Sequence, residues 1–321
     1  MTTQLRMGPL EWGMLITLSL LWGGSFFFGK VAVAELPPLT LAFLRVGIAA
    51  VLLWTIVAAL RRDLSPLKVI WLPLIVLGVL NNVVPFSLIL WGQQEIGAGL
   101  ASILNATTPV FTVIVANAFL ADERLTPGKA VGIALGVLGV AVLVGLDSLS
   151  GLGGNVMAQL ACLGAALSYG LAATFARRFR GIPPVLVATG QLTASSLVLL
   201  PIILMLDAPW TLGVPSVGAL WSIILLGSIS TGLAYILYFR IIRAAGATNG
   251  ALVTLLVPVS AILLGAIVLG ERLAATDFLG MALIGLGLLA IDGRPLAFVA
   301  QAFGRTRAQS SALDPRDAPR G

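Results

Sequence analysis

The sequence predicts an all-α polytopic membrane protein, with ten transmembrane helices forming two inverted five-helix repeats. Composition is the first observation behind this. The 321 residues are 59% hydrophobic and 10% charged, with a mean hydropathy of +1.05. A water-soluble domain carries about 25% charged residues, so lipid must solvate most of this surface. The second is a series of about ten apolar segments, each of about 18–24 residues and able to cross a hydrocarbon core of about 30 Å. The third is an internal echo. Gly97-Ala98 aligns with Gly246-Ala247, Pro109-Val110 with Pro258-Val259, and Glu123-Arg124-Leu125 with Glu271-Arg272-Leu273. Gly132, Ala134, Leu135, Leu138 and Gly139 then meet Gly280, Ala282, Leu283, Leu286 and Gly287. An echo this long means two similar halves.

The segments fall near 11–30, 38–60, 69–91, 98–120 and 129–146, then 156–176, 184–206, 216–239, 248–270 and 275–292. They are helices because a spanning segment must satisfy its own backbone hydrogen bonds. The first imitates a signal peptide, with Arg6, an apolar run and Ala32-Val33-Ala34. It is expected to stay, since Lys30 interrupts the run and Trp22-Gly23 and Lys30 recur as Tyr169-Gly170 and Arg177. The second opens after Pro37-Pro38 as the seventh opens after Pro183-Pro184, and Leu77-Gly78 of the third matches Leu226-Gly227 of the eighth. The repeats are therefore expected at 12–145 and 156–293. The arginine-rich stretch 294–321 is expected to be a disordered cytoplasmic tail.

Charge sets the orientation. With the N-terminus inside, the outer gaps hold Lys30 and Arg272, Arg45 lies within a span, and the rest of the 19 Lys and Arg fall inside. The positive-inside rule then puts both termini in the cytoplasm of a cell with an inner membrane. Five helices per half is an odd number, so the second half sits upside down relative to the first. Inverted repeats around a midplane site are the geometry of alternating-access carriers.

Several functions are excluded or weakened. With no histidine and one cysteine, Cys162, the chain has no Ser-His-Asp or Cys-His arrangement and no His-rich metal site. No metal, cofactor or nucleic-acid partner is expected, and an intramembrane enzyme is the weaker class. Gly24 to Lys30 has the spacing of a phosphate loop, but Val31 stands where Ser or Thr must follow. Gly285-x-Gly287-x-x-Ala290 lacks the strand that a dinucleotide fingerprint needs. Small residues three and four apart, such as Gly128, Gly132, Gly136 and Gly139 with Gly280, Gly285 and Gly287, fit close helix packing. That packing can join the fifth and tenth helices within one chain or serve a homodimer.

The layout resembles the drug/metabolite transporter superfamily, in particular its EamA-type members with ten helices in two repeats. The matching features are Leu21-Trp22-Gly23, Arg45 after the paired prolines, Pro109 and Pro258, and the two Glu-Arg-Leu corners before glycine-rich helices. The resemblance covers about 12–293. It implies transport of a small organic solute, often export of amino acids or related metabolites, and its flippase-like relatives supply the alternative of a lipid carrier.

Polar groups near a bilayer midplane are costly unless paired or wet, and so mark candidate sites. The third helix carries Asn81-Asn82, and the repeat offset puts Ser230 and Thr231 of the eighth at the same depth. The fourth has Asn105, Thr107 and Thr108 before Pro109; the ninth has Asn249, and Thr254 before Pro258. These are expected to contact solute or to bond between helices. Pro109 and Pro258 each free a carbonyl about four residues upstream, giving a kink or a hinge. Trp22 and Tyr169, at equivalent places, can stack on a solute or pack. Arg45 lies about 10 Å into its helix, so it is expected to snorkel or pair between helices, with an anion contact as the alternative. Glu123 and Glu271 read as structural corners that tie loops to neighbouring helix ends. No span has a midplane carboxylate, which argues against proton coupling through a buried acid.

Overall fold

A computed structural model describes residues 8–120, 126–144, 154–245 and 253–292. Glu123, Asn249 and the 294–321 stretch lie outside the described residues. Within them ten apolar helices follow in order: α1 (Pro9–Val33), α2 (Pro38–Ala59), α3 (Ser65–Glu95), α4 (Ala98–Phe119), α5 (Pro127–Val144), α6 (Gly154–Ala176), α7 (Pro184–Leu206), α8 (Val217–Ile241), α9 (Val253–Leu269) and α10 (Ala275–Asp292). All but α5, α9 and α10 are long and apolar enough to cross a membrane by themselves, and those three are shorter apolar helices. This is an all-α multi-pass membrane protein.

Proline sets several starts. Pro9, Pro38, Pro66 and Pro184 sit in the first turn, where a missing N–H costs nothing and φ is already helical. The third helix is longer than its apolar run suggests, because it continues through polar Gln93 and Gln94 to Glu95. Lys30, at the end of the first apolar segment, lies in the last turn of α1, which runs on to Val33, and donates from Nζ to the Gln93 carbonyl at 2.6 Å. The bundle surface is apolar: Val69, Leu197 and Ile267 are 82%, 66% and 78% exposed, as lipid-facing residues should be.

The packing repeats when the halves are exchanged. Helix α1 lies along α9 as α6 lies along α4, α3 meets α6 as α8 meets α1, and α3 meets α7 as α8 meets α2. Helices α2 and α7 pair across the middle, and α5 pairs with α10. The α5–α10 contact is within one chain. A Cβ on Gly132 would lie 2.5 Å from the Gly287 carbonyl oxygen, and one on Gly287 would lie 2.6 Å from that of Gly132. Gly139 meets the Gly280 carbonyl in the same way, at 2.8 Å. Gly285 differs from the others in the glycine pattern, with no atom within 4 Å of its Cβ position.

Three carboxylates hold helix starts in the opposite half. Asp207, after α7, accepts from N and Oγ1 of Thr40 in the first turn of α2, at 2.9 and 2.6 Å. Glu271 accepts from the first amides of α4, Ala98 at 2.7 Å and Gly99 at 3.1 Å. Glu35 accepts from N and Oγ of Ser216, which precedes α8, at 2.6 and 2.5 Å. Helix starts leave amides unpaired and carry a partial positive charge, so a carboxylate suits them on both counts. The Ser216 bonds also hold the exposed Glu35 carboxyl below its ordinary range.

Candidate functional site

The third and eighth helices each loosen into a π turn at matching places, Val79–Val83 and Ser228–Leu233. A π turn inserts one residue and displaces a carbonyl from the ladder. In α3 the turn runs into Pro85, which has no N–H to give, in the five-residue register, to the Leu80 carbonyl. The hydroxyl of Ser168 on α6 donates to that oxygen instead, at 2.7 Å. In α8 the hydroxyl of Thr231 donates to the Leu226 carbonyl at 2.8 Å. A glycine precedes each turn because a neighbouring helix comes close. A Cβ on Gly78 would lie 2.7 Å from the Gln191 carbonyl of α7, and one on Gly227 would lie 2.7 Å from Ile48 Cβ of α2.

The π turns aim their polar side chains across the boundary between the halves. Asn81 donates from Nδ2 to Tyr235 Oη at 3.0 Å and to Gln191 Oε1 at 3.3 Å. Asn82, fully buried, donates to Ser195 Oγ at 3.0 Å and accepts from the Tyr235 hydroxyl at 3.3 Å. On the other side, Arg45 Nε donates to Thr231 Oγ1 at 2.9 Å, and its guanidinium carbon stands 3.7 Å from the Phe86 ring centroid. Arg45 does not snorkel: it is 8% exposed and held inside the bundle. Distance along its own helix does not fix the depth of a side chain that faces inward. Ser230 is 1% exposed, and its Oγ has no hydrogen-bond partner among the described residues.

The remaining candidates lie around this layer or beyond it. Trp22 packs against Tyr238, with ring centroids 5.2 Å apart and planes at 47°. Tyr169 borders the apolar cores on both sides of the layer. Helix α4 breaks at Ala106-Thr107, between Asn105 and Thr108. There the hydroxyl of Thr108 donates at 2.7 Å to the Asn105 carbonyl that Pro109 leaves free, while Asn105 Oδ1 is buried without a partner. Pro258, by contrast, sits buried inside an unbroken α9, with Thr254 half-buried one turn earlier.

Sequence reasoning missed Gln191, Ser195 and Tyr235. The signal for Gln191 was present. It is the seventh residue after Pro184, as Arg45 is the seventh after Pro38, so the two are repeat partners. Each is bonded to the π turn it faces, Gln191 to Asn81 and Arg45 to Thr231. Likewise Phe86 and Tyr235 stand at the same offset as Asn81 and Ser230.

Comparison with known proteins follows the same two-part division. A model of the EamA-like transporter family matches residues 11–145 and again 156–291. The uncharacterized transporter YoaV of Bacillus subtilis (strain 168) is 28% identical over 279 residues, spanning 85% of this chain and 94% of its own. The uncharacterized inner membrane transporter YedA of Escherichia coli (strain K12) is also 28% identical, covering 85% and 87%. A probable amino-acid metabolite efflux pump of Escherichia coli (strain K12) is 29% identical over 285 residues, covering 86% and 92%. A solved crystal structure shares the fold, with a TM-score of 0.64 at 22% identity over 88% of this chain and 97% of that one.

Proposed function

Because the chain belongs to the EamA-like transporter family, we propose that it is a secondary carrier of a small organic solute. The solute is an amino acid or a related metabolite, exported across the inner membrane by alternating access between two inverted repeats, with both termini in the cytoplasm. The polar layer is its binding site and carries no chemistry on the solute. One observation carries this reading: two repeat-related π turns present Asn81-Asn82 and Ser230-Thr231 at one level, and the bonds they make cross between the halves. A π turn is easily rebuilt as a regular turn, so the same residues can change partners when the bundle opens on its other side. The similarity to an amino-acid metabolite efflux pump supports the solute class, and the sidedness of the basic residues supports the orientation.

A lipid carrier needs a polar path for a headgroup along the flank of the bundle. One groove of about 380 Å³ along α2 is lined by Phe43, Leu44, Gly47, Ile48 and Val51, without a polar side chain, and supplies no such path there. An efflux screen of amino acids and related metabolites in proteoliposomes tests the proposal. Counterflow by the wild type that Asn81→Ala reduces by about tenfold supports it. Full activity in that variant at equal reconstitution removes the layer as the site.

A further inference from the structure

We infer that the transported solute carries a carboxylate, or an equivalent small anionic group, and that Arg45 receives it in the polar layer. This rests on reading that layer as the solute site. A guanidinium stays charged at any pH a protein meets and presents donors on three nitrogens. Here one is committed: Nε donates to Thr231 Oγ1, whose own proton is directed to the Leu226 carbonyl. One face of the guanidinium is covered by Phe86. The outer fork, the two η nitrogens that grip a carboxylate with parallel bonds, makes no hydrogen bond, and no acidic side chain pairs with Arg45 among the described residues. The residue as a whole is nevertheless buried, at 8% exposed.

The repeat shows that the fold does not need this charge. The equivalent position in the second half holds neutral Gln191, which bonds its own π turn through Asn81. A polar side chain that bridges to the turn is the structural requirement, and glutamine meets it. The positive charge at Arg45 is therefore not required for that bridge, and a buried charge with no counter-ion is strongly unfavourable. Its surroundings are also of one kind. Tyr169 and Tyr235 pack against the core cluster that holds Phe86, and the Ser230 hydroxyl lacks a partner among the described residues. This is a neutral, hydroxyl-bearing neighbourhood with one fixed cation, so an entering anion supplies the missing acceptor. The Trp22–Tyr238 pair provides an aromatic surface for the rest of such a solute.

The test compares benzoate with benzamide, which share shape and differ in charge. Binding is followed by thermal shift and tryptophan fluorescence on the full chain in phosphatidylcholine nanodiscs. Benzoate is expected to stabilise the wild type in a saturable way, and benzamide is not. Arg45→Gln, which copies the second repeat, is expected to weaken benzoate binding by about tenfold or more while keeping the ligand-free melting temperature. Arg45→Lys keeps the charge but loses the fork, and is expected to fall between. Equal responses to benzoate and benzamide in the wild type would overturn the inference even if every variant misfolded. A parallel set with phosphatidylglycerol added separates the two sources of an anion. If phosphatidylglycerol alone produces the Arg45-dependent shift and blocks benzoate, the receptor serves a lipid headgroup, and the solute assignment falls. A carrier that moves solutes in the efflux screen but handles carboxylates and their amides equally would leave the transport reading standing and remove this one. A chain that transports nothing yet binds benzoate through Arg45 would remove the transport reading and leave Arg45 as an anion receptor only.

Discussion

Asp207 holds Thr40 by two bonds, one to the backbone amide at 2.9 Å and one to the hydroxyl at 2.6 Å, so a residue after α7 fixes the first turn of α2 in the other half. The pair belongs with Glu271 at the start of α4 and Glu35 at Ser216, and all three cross between the halves. Replacing Asp207 with Ala removes both bonds and is expected to lower stability by about 1–2 kcal/mol, the usual effect of losing a helix cap. Thr40→Val keeps the amide bond and is expected to lose less. Thermal unfolding of the two variants in one detergent gives the comparison.

Glu35 gives the same arrangement a pH dependence. Its carboxyl is held below its ordinary value of 4.5, first by the Ser216 hydroxyl and then by the Ser216 amide. A folded-state value below the unfolded one means that this tie contributes stability above about pH 4.5. The contribution is lost as pH falls through the lower folded value. Melting temperatures measured from pH 7 down to about pH 3 should therefore drop more steeply in the wild type than in Glu35→Gln. Parallel curves would show that the Ser216 tie has no part in acid sensitivity.

The glycines of α5 and α10 should separate sharply on substitution. Gly132→Ala and Gly287→Ala each push a methyl into a backbone carbonyl and are expected to destabilise by about 1–3 kcal/mol. Gly285→Ala meets open space in the same helix as Gly287. It should be neutral, or stabilising by up to about 1 kcal/mol through helix propensity. Unfolding measured side by side by circular dichroism decides it.

Asn81 and Asn82 are adjacent, yet their variants should fail differently. Asn82 is fully buried and bonded to Ser195 and Tyr235, so Asn82→Ala removes both bonds, leaves the Tyr235 proton without its acceptor and should cost about 1–3 kcal/mol of stability. Asn81 is only half-buried, and Asn81→Ala should reduce transport with a smaller loss of stability. Comparing melting temperature with initial transport rate at matched reconstitution tests the split. A variant pair that moves together on both measures would count against it.

Much of this was legible in the sequence, for physical reasons that can be named. Ten apolar runs give ten helices because lipid leaves the backbone no other choice. The echo of Leu77-Gly78 in Leu226-Gly227 marks the two places where neighbouring helices come close. Asn81-Asn82 and Ser230-Thr231 fall in matching π turns because both follow those glycines at one spacing. The π turns were not legible, since one inserted residue leaves no mark in a pattern that is apolar on every face. Gln191 and Ser195 were missed although the paired prolines fix their register. Arg45 takes the second of its two expected roles, pairing between helices with Thr231, because its reach to the helix end says nothing about which way the helix faces. Glu123 and Asn249 lie outside the described residues.

The α5–α10 contact bears on how the halves can move. Gly132 and Gly287 each lie against the other's carbonyl, and Gly139 lies against Gly280 further along. A slide of one helical turn, about 5.4 Å, would set Gly132 opposite Leu283 and Ile284, whose side chains do not fit where a bare backbone now lies. Sliding along this seam towards that register is therefore opposed by contact, and the glycines hold the two helices in one register.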